Sequence, residues 1–450
     1  MSCFNITAYG AVADGKTDST QAFQAAIAAA VQTGGGAIYV PSGVFVCGPI
    51  HLQSNMTLYL EAGAVLKFAT DHEKHPVIPY FFQGVETELF APLIYAVDAE
   101  NITIAGRGVL DGQGQYWWSR FPGDFQRPRF ICPIRCQNVL IDGVKIINSP
   151  CWTINPILCE NVTVNQVTIV NPADSPNTDG IDPESCKNVH ISNCHIDVGD
   201  DCIAIKSGVE KAKYRVACEN ITITNCTMVH GHGGVVIGSE MSGGVRNVVI
   251  TNCVFEGTDR GIRIKSRRGR GGIVEDLRVS NIIMKGVMTP FVMNMYYHCG
   301  EGGKEPEVWD KNPHPVNEKT PVFRRIHFSD ITVREATAAA GFLYGLPEQP
   351  VEEISFQNVS VHLAEGAEPG LPAMMCHLEP MKNQGFYCNN VKNLAFRQVK
   401  VSGHEGPAFT LENVEGLVLT GCQAEPVTPG APLYKLSGVK GAQLEQVNGS

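Results

Sequence analysis

Asn161-Val162-Thr163-Val164, then Asn188-Val189-His190-Ile191, then Asn220-Ile221-Thr222-Ile223: one phrase, an asparagine followed by β-branched residues alternating with polar ones, returns along the chain. It extends upstream as Asn101-Ile102-Thr103-Ile104 and Asn138-Val139-Leu140-Ile141, and downstream as Asn247-Val248-Val249-Ile250. Weaker copies begin at Asp276, Arg325, Glu353, Asn393 and Gly416. The spacing is roughly 23 to 32 residues, stretched to roughly 40 to 50 in places, which is a solenoid period. Strands this short cannot bury a face alone; stacked as coils they share one interior. A leucine-rich repeat would need regular Leu and a helix or turn in each unit, and these units lack both. The pattern therefore predicts an all-β right-handed parallel β-helix, one elongated domain over residues 1–450.

The same reading accounts for the ends and the irregularities. Asp18 or Ser19 can cap a helix through Ala22, Phe23, Ala26, Ile27, Ala30 and Val31, stopped by Gly34-Gly35-Gly36. Such a cap, over about residues 1–40, would cover the open edge of the first coil. The stretched spacings mark insertions at roughly 70–98, 112–134 and 299–321, rich in Pro, Gly, aromatic and charged residues, and insertions of a solenoid cluster on one face. They can form a groove wall or a subunit interface, so oligomeric state stays open.

Composition removes several classes. The 450 residues carry a net charge of −10, which argues against nucleic acid or an anionic membrane as partner. No apolar run is long enough to span a bilayer. The opening Met1-Ser2-Cys3-Phe4-Asn5-Ile6 has no basic and apolar leader pattern, so a cytoplasmic protein is expected, or a secreted one whose leader precedes this chain. Cysteines recur in one local context, Asn193-Cys194, Asn225-Cys226 and Asn252-Cys253, which reads as a ladder of buried free thiols. Stacking could also bring such pairs to disulfide distance. No CxxC pairs have metal spacing, and no metal or cofactor is expected.

Two polar breaks interrupt the coils: Asn177-Thr178-Asp179-Gly180 and, one period on, Gly199-Asp200-Asp201-Cys202. Each alone is an ordinary turn. Stacked roughly 5 Å apart they would gather three carboxylates, whose repulsion lets one keep its proton while another stays ionised. The following coils bring His230-Gly231-His232-Gly233, where His232 has little cover, and then Arg263-Ile264-Lys265, whose side chains share a face. Acids with cations beside them suit an anionic substrate, because Arg grips a carboxylate through two hydrogen bonds. Tyr296 or Tyr297 could stack on a sugar ring or simply fill the core. The chemistry thus falls on coils spanning about 170–300.

In order, Asn177-Thr178-Asp179, Gly199-Asp200-Asp201, Gly231-His232-Gly233 and Arg263-Ile264-Lys265 resemble the four signatures of glycoside hydrolase family 28, the polygalacturonases. The opening Ala8-Tyr9-Gly10-Ala11 and Asp14-Gly15-Lys16-Thr17-Asp18 also resemble that family's start. The resemblance implies hydrolysis of α-1,4-linked galacturonides with inversion. Asp200 would be the general acid, and Asp179 and Asp201 would hold the attacking water. His232 would tune the cluster. Arg263 and Lys265 would bind the galacturonate carboxylate, with Tyr297 and Asn177 also at the substrate. An inverting pair is expected roughly 6.5 to 9.5 Å apart. The insertions, with Trp117-Trp118, Arg120, Arg127 and Arg129, resemble those of exo-acting members, so exo cleavage is expected. The alternatives are a hydrolase of rhamnogalacturonan or another galacturonide, a calcium-dependent pectate lyase, and a non-catalytic carbohydrate-binding β-helix.

Overall fold

The computed structural model describes residues 2–449. Strands make up 52% of the chain and helix 7%, and the fold is a right-handed parallel β-helix. Internal contacts divide it into two compact units: residues 1–204 with 212–226, and residues 205–211 with 227–450.

In the first unit the copies of the phrase lie in register. Ile102 pairs with Val139, Val139 with Val162, Val162 with Val189 and Val189 with Ile221, all in parallel, and each is buried. The leading asparagine of each copy adopts a left-handed conformation: φ is 57° at Asn101, 56° at Asn138, 59° at Asn161, 57° at Asn188 and 58° at Asn220. Asparagine tolerates this region better than other side-chain-bearing residues. Its carboxamide then donates to the one a coil below, at 3.0 Å for Asn138 to Asn101, 3.1 Å for Asn161 to Asn138 and 3.0 Å for Asn188 to Asn161. One residue type thus turns the corner and ties successive corners together.

The second unit repeats the device with a different filling. Val248, Leu277, Ile326, Ile354, Leu394 and Leu417 form its register line. Phe328 stacks on Phe356 at 4.8 Å, and Phe356 on Phe396 at 5.0 Å, as an interior aromatic ladder. The weaker copies keep the left-handed corner at Asp276, Arg325, Glu353, Asn393 and Gly416. Where Arg325 replaces the amide, its Nε donates to Asp276 Oδ1 at 2.8 Å, so an ion pair substitutes for the amide rung.

The cap helix spans Thr20–Gln32 and buries Ala22, Phe23, Ala26 and Ala30. Of the two expected caps Asp18 serves: its Oδ1 accepts from Thr20 N at 2.9 Å, while Ser19 makes no side-chain cap bond. Val31, expected on the buried face, is 52% exposed. The insertions hold structure that the sequence did not reveal. In 70–98, strands Val77–Phe82 and Val85–Phe90 form an antiparallel hairpin, and Tyr80, Phe81 and Leu89 pack on Cys132, Ile134 and Ile157. In 112–134, helix Gly114–Arg120 buries Trp117 completely. A fourth insertion, 364–382, separates strands Val351–Leu363 and Gln384–His404.

All sixteen cysteines are free thiols and thirteen are buried. Cys194, Cys226 and Cys253 occupy equivalent places, each thiol donating to the carbonyl two residues back at 3.2 Å.

Candidate active site

The first unit assembles the acids. Asp179 and Asp201 lie on adjacent coils: Gly180 N donates to Asp201 O at 3.0 Å and Ile181 N to Cys202 O at 3.1 Å. Glycine is required here, because a Cβ on Gly180 would stand 2.4 Å from Cys202 O, and one on Gly199 2.3 Å from Ser175 O. Thr178 locks the two breaks together, with its Oγ1 2.5 Å from Ser175 Oγ and accepting from Gly199 N at 3.2 Å. One carboxylate oxygen each from Asp179, Asp200 and Asp201 lies within 4.8 Å of the others, a separation that a water or a cation could bridge. These oxygens are closer than the separation of roughly 6.5 to 9.5 Å expected for an inverting pair. Asp179 and Asp201 are 3% and 1% exposed. Asp200 is only partly buried, and its Oδ1 accepts from Asp201 N at 2.8 Å.

Asn177, expected at the substrate, has φ 55° and its Oδ1 accepts from Arg127 Nη2 at 2.6 Å. The covering hairpin is close by. Ile157 bridges to Glu184, five residues after Asp179, and Thr153 N donates to Asp179 O at 2.8 Å. The hairpin therefore covers the sheet face one coil from the acids, roughly 5 Å by strand spacing.

The second unit holds the remaining candidates. His232 Nδ1 lies 2.8 Å from Asp259 Oδ2, which also takes Arg260 Nη1 at 3.2 Å. Burial works to raise the Asp259 carboxyl, but the His232 hydrogen bond and the Arg260 charge outweigh it and hold it below the usual range. An ionised Asp259 makes Nδ1 a protonated nitrogen of His232; in the neutral imidazole Nε2 is then the acceptor. Arg263 and Lys265 are buried and flank Tyr297, with Cζ 5.8 Å and Nζ 5.3 Å from the ring centroid. Tyr297 is thus the tyrosine grouped with the cations. Tyr296 packs on Tyr344 and under Lys311 Nζ at 3.3 Å.

Several members of this constellation escaped the sequence. The fourth insertion runs over the cations: Arg260 Nη2 donates to Leu371 O at 2.6 Å, Arg263 Nη2 to Met374 Sδ at 2.7 Å, and Tyr297 bridges to Met375. Glu240, buried, pairs with Lys206 at 3.6 Å. Burial raises its carboxyl, yet Lys206, Arg270 and Lys265 together hold it below the usual range. The rest of the basic run is structural. Arg267 and Arg270 share Glu210, and Arg268 forks onto Glu348 at 2.6 and 2.9 Å while binding the carbonyls of Glu307, Asp310 and Asn312. These arginines clasp the 299–321 insertion.

The Glycosyl hydrolases family 28 model matches residues 32–370. A probable polygalacturonase of Vitis vinifera is 34% identical over 375 residues, 80% of this chain and 74% of that protein. An endo-polygalacturonase of Pectobacterium carotovorum is 31% identical, covering 71% of this chain and 78% of that protein. Among solved structures, an exopolygalacturonase from Thermotoga maritima superposes with a TM-score of 0.73 at 32% identity, over 88% of this chain and 92% of that one.

Proposed function

The chain belongs to glycosyl hydrolases family 28 and is a glycoside hydrolase of pectin galacturonides; from that premise we propose that it releases galacturonate from the ends of α-1,4-linked chains by a single displacement. The observation that carries the chemistry is the carboxylate cluster, of which Asp200 alone is only partly buried. Asp200 gives its proton to the glycosidic oxygen as that bond breaks. Asp179 and Asp201 accept hydrogen bonds from a water whose oxygen attacks the anomeric carbon, and one of them takes the released proton. Crowding by its two neighbours favours the protonated form of Asp200. Arg263 and Lys265 hold the sugar carboxylate, Tyr297 supports the ring, and His232, oriented by Asp259, accepts through Nε2.

Exo action is supported by the hairpin. A wall one coil from the acids leaves room for only a short chain end on that side, and the similar Thermotoga maritima protein is an exopolygalacturonase. The test is product analysis on polygalacturonate and short oligomers, with the anomer followed by proton NMR. Monomer or dimer from the first time point, released as the β anomer, is expected. A ladder of sizes would refute exo action, and an α anomer formed first would refute single displacement.

A further inference from the structure

Arg127 stands on the 112–134 insertion, is 2% exposed, and makes no ion pair among the described residues. Its Nε donates to Gly123 O at 3.3 Å within its own insertion. Nη1 donates to Pro150 O at 2.9 Å and Pro176 O at 2.7 Å, and Nη2 to Asn177 Oδ1 at 2.6 Å. All four acceptors are uncharged oxygens, and two of them belong to the loop that carries Asp179. A buried guanidinium bound only to neutral oxygens keeps an uncompensated charge, which favours ionised carboxylates nearby.

We infer that Arg127 is a positioning residue for the reaction: the insertion reaches through it into the acid loop and fixes where Asp179 stands. This rests on the reading of Asp179 as a holder of the attacking water. The insertion does not need these bonds to stay in place. Trp117 anchors it in an aromatic cluster with His75, Phe90 and Phe121, and Trp118 Nε1 donates to Ser149 O at 3.1 Å. Two of the four Arg127 bonds instead go to Pro176 and Asn177, and the planar fork sends a separate nitrogen to each, a geometry that a single ammonium nitrogen does not reproduce. Asn177 in turn is held left-handed immediately before Thr178, whose hydroxyl locks the two acidic breaks together. Charged and titratable groups beside Arg127 include Cys151 of the adjacent coil, whose thiol also feels Arg129 and Asp124 of the insertion.

The experiment compares Arg127→Lys, Arg127→Ala and Asn177→Gly for kcat, KM, the pH dependence of kcat and thermal unfolding. Glycine keeps the left-handed φ at 177 and removes only the acceptor. Displacing a reacting group by about 1 Å costs about 10²-fold, so Arg127→Lys should lose about 10- to 100-fold in kcat with KM little changed. The acid limb of the Arg127→Ala profile should move to higher pH, because a base without the cation protonates more readily. Arg127→Ala should lose more and regain activity with added guanidinium ion. Asn177→Gly should lose less, and should cost nothing further in the Arg127→Lys background. A folded Arg127→Lys with wild-type kcat would overturn the inference, as would a loss confined to KM or, in a folded Arg127→Ala, an unmoved acid limb. If Arg127→Ala does not fold, the other two variants decide. Asp179→Asn and Asp200→Asn run alongside: if they retain hydrolysis, the assignment of the acids fails, whatever Arg127 does.

Discussion

Asp200→Asn should produce an enzyme that is less active and, at neutral to alkaline pH, more stable. The substitution is isosteric and keeps an Oδ1 to accept from Asp201 N, so no packing is lost. What changes is charge. Two unit charges 4.8 Å apart repel by about 3.5 kcal/mol at an effective dielectric of about 20. Because Asp200 is partly exposed, solvent screening reduces this to about 1–2 kcal/mol for the variant. A general acid crowded by two carboxylates keeps its proton above the ordinary aspartate value of about 3.9. Between that value and the folded one, the native state binds more protons than the unfolded state, so wild-type stability falls as pH rises through the window. Asparagine has no such slope. Urea unfolding at a series of pH values should show the two proteins alike near pH 4 and the variant ahead at pH 8. Its kcat should be down on the order of 10³-fold, for want of the general acid. A variant less stable than wild type at pH 8, or one with the same pH slope, would refute the crowded-carboxylate argument.

Replacing residues 77–90 with a short Gly-Ser turn should turn monomer-dominated products into a ladder of sizes; unchanged products would show that the hairpin is not the wall. Arg263→Lys should raise KM about tenfold while leaving kcat within a few-fold, since an ammonium replaces a bidentate grip with a point charge; steady-state kinetics on a trimer decides it. The Glu240 carboxyl is held below the usual range, so its contribution is present above the ordinary glutamate value of about 4.3 and lost as pH falls through the folded one. Glu240→Gln should therefore flatten the acid side of the stability profile, and a slope equal to wild type between pH 5 and pH 3 would count against the pairing with Lys206.

The coils were legible because one residue type does two jobs. Asparagine marks the left-handed corner and supplies the rung, so its recurrence exposes both period and register. The acids were legible for a related reason: Gly180 and Gly199 stand where the two breaks touch, and glycines beside paired acids show up in the sequence. The insertions were not. The apolar run Val77–Phe82 gives no sign of which face it covers, because Cys132, Ile134 and Ile157 lie far along the chain. The basic run was mixed for the same reason. Arg263 and Lys265 stay with Tyr297, while the partners of Arg267 and Arg268, Glu210 and Glu348, are 57 and 80 residues away. Met374, 111 residues from Arg263, had no local signal at all.

Three carboxylates within 4.8 Å repel one another, so a flexible support would let them drift apart and lose the water between them. In this fold the ladder itself runs through the acid-bearing breaks: Thr153 N donates to Asp179 O, and Gly180 N to Asp201 O, at 2.8 and 3.0 Å. Moving either acid therefore means breaking hydrogen bonds shared with neighbouring coils, which are themselves held by rungs above and below. The cost of crowding is thus spread over a stack instead of falling on one loop, which is the preorganisation that an electrostatic transition state requires. It also explains why the breaks tolerate two buried aspartates. Their carbonyls stay engaged by neighbouring coils while their side chains leave the sheet.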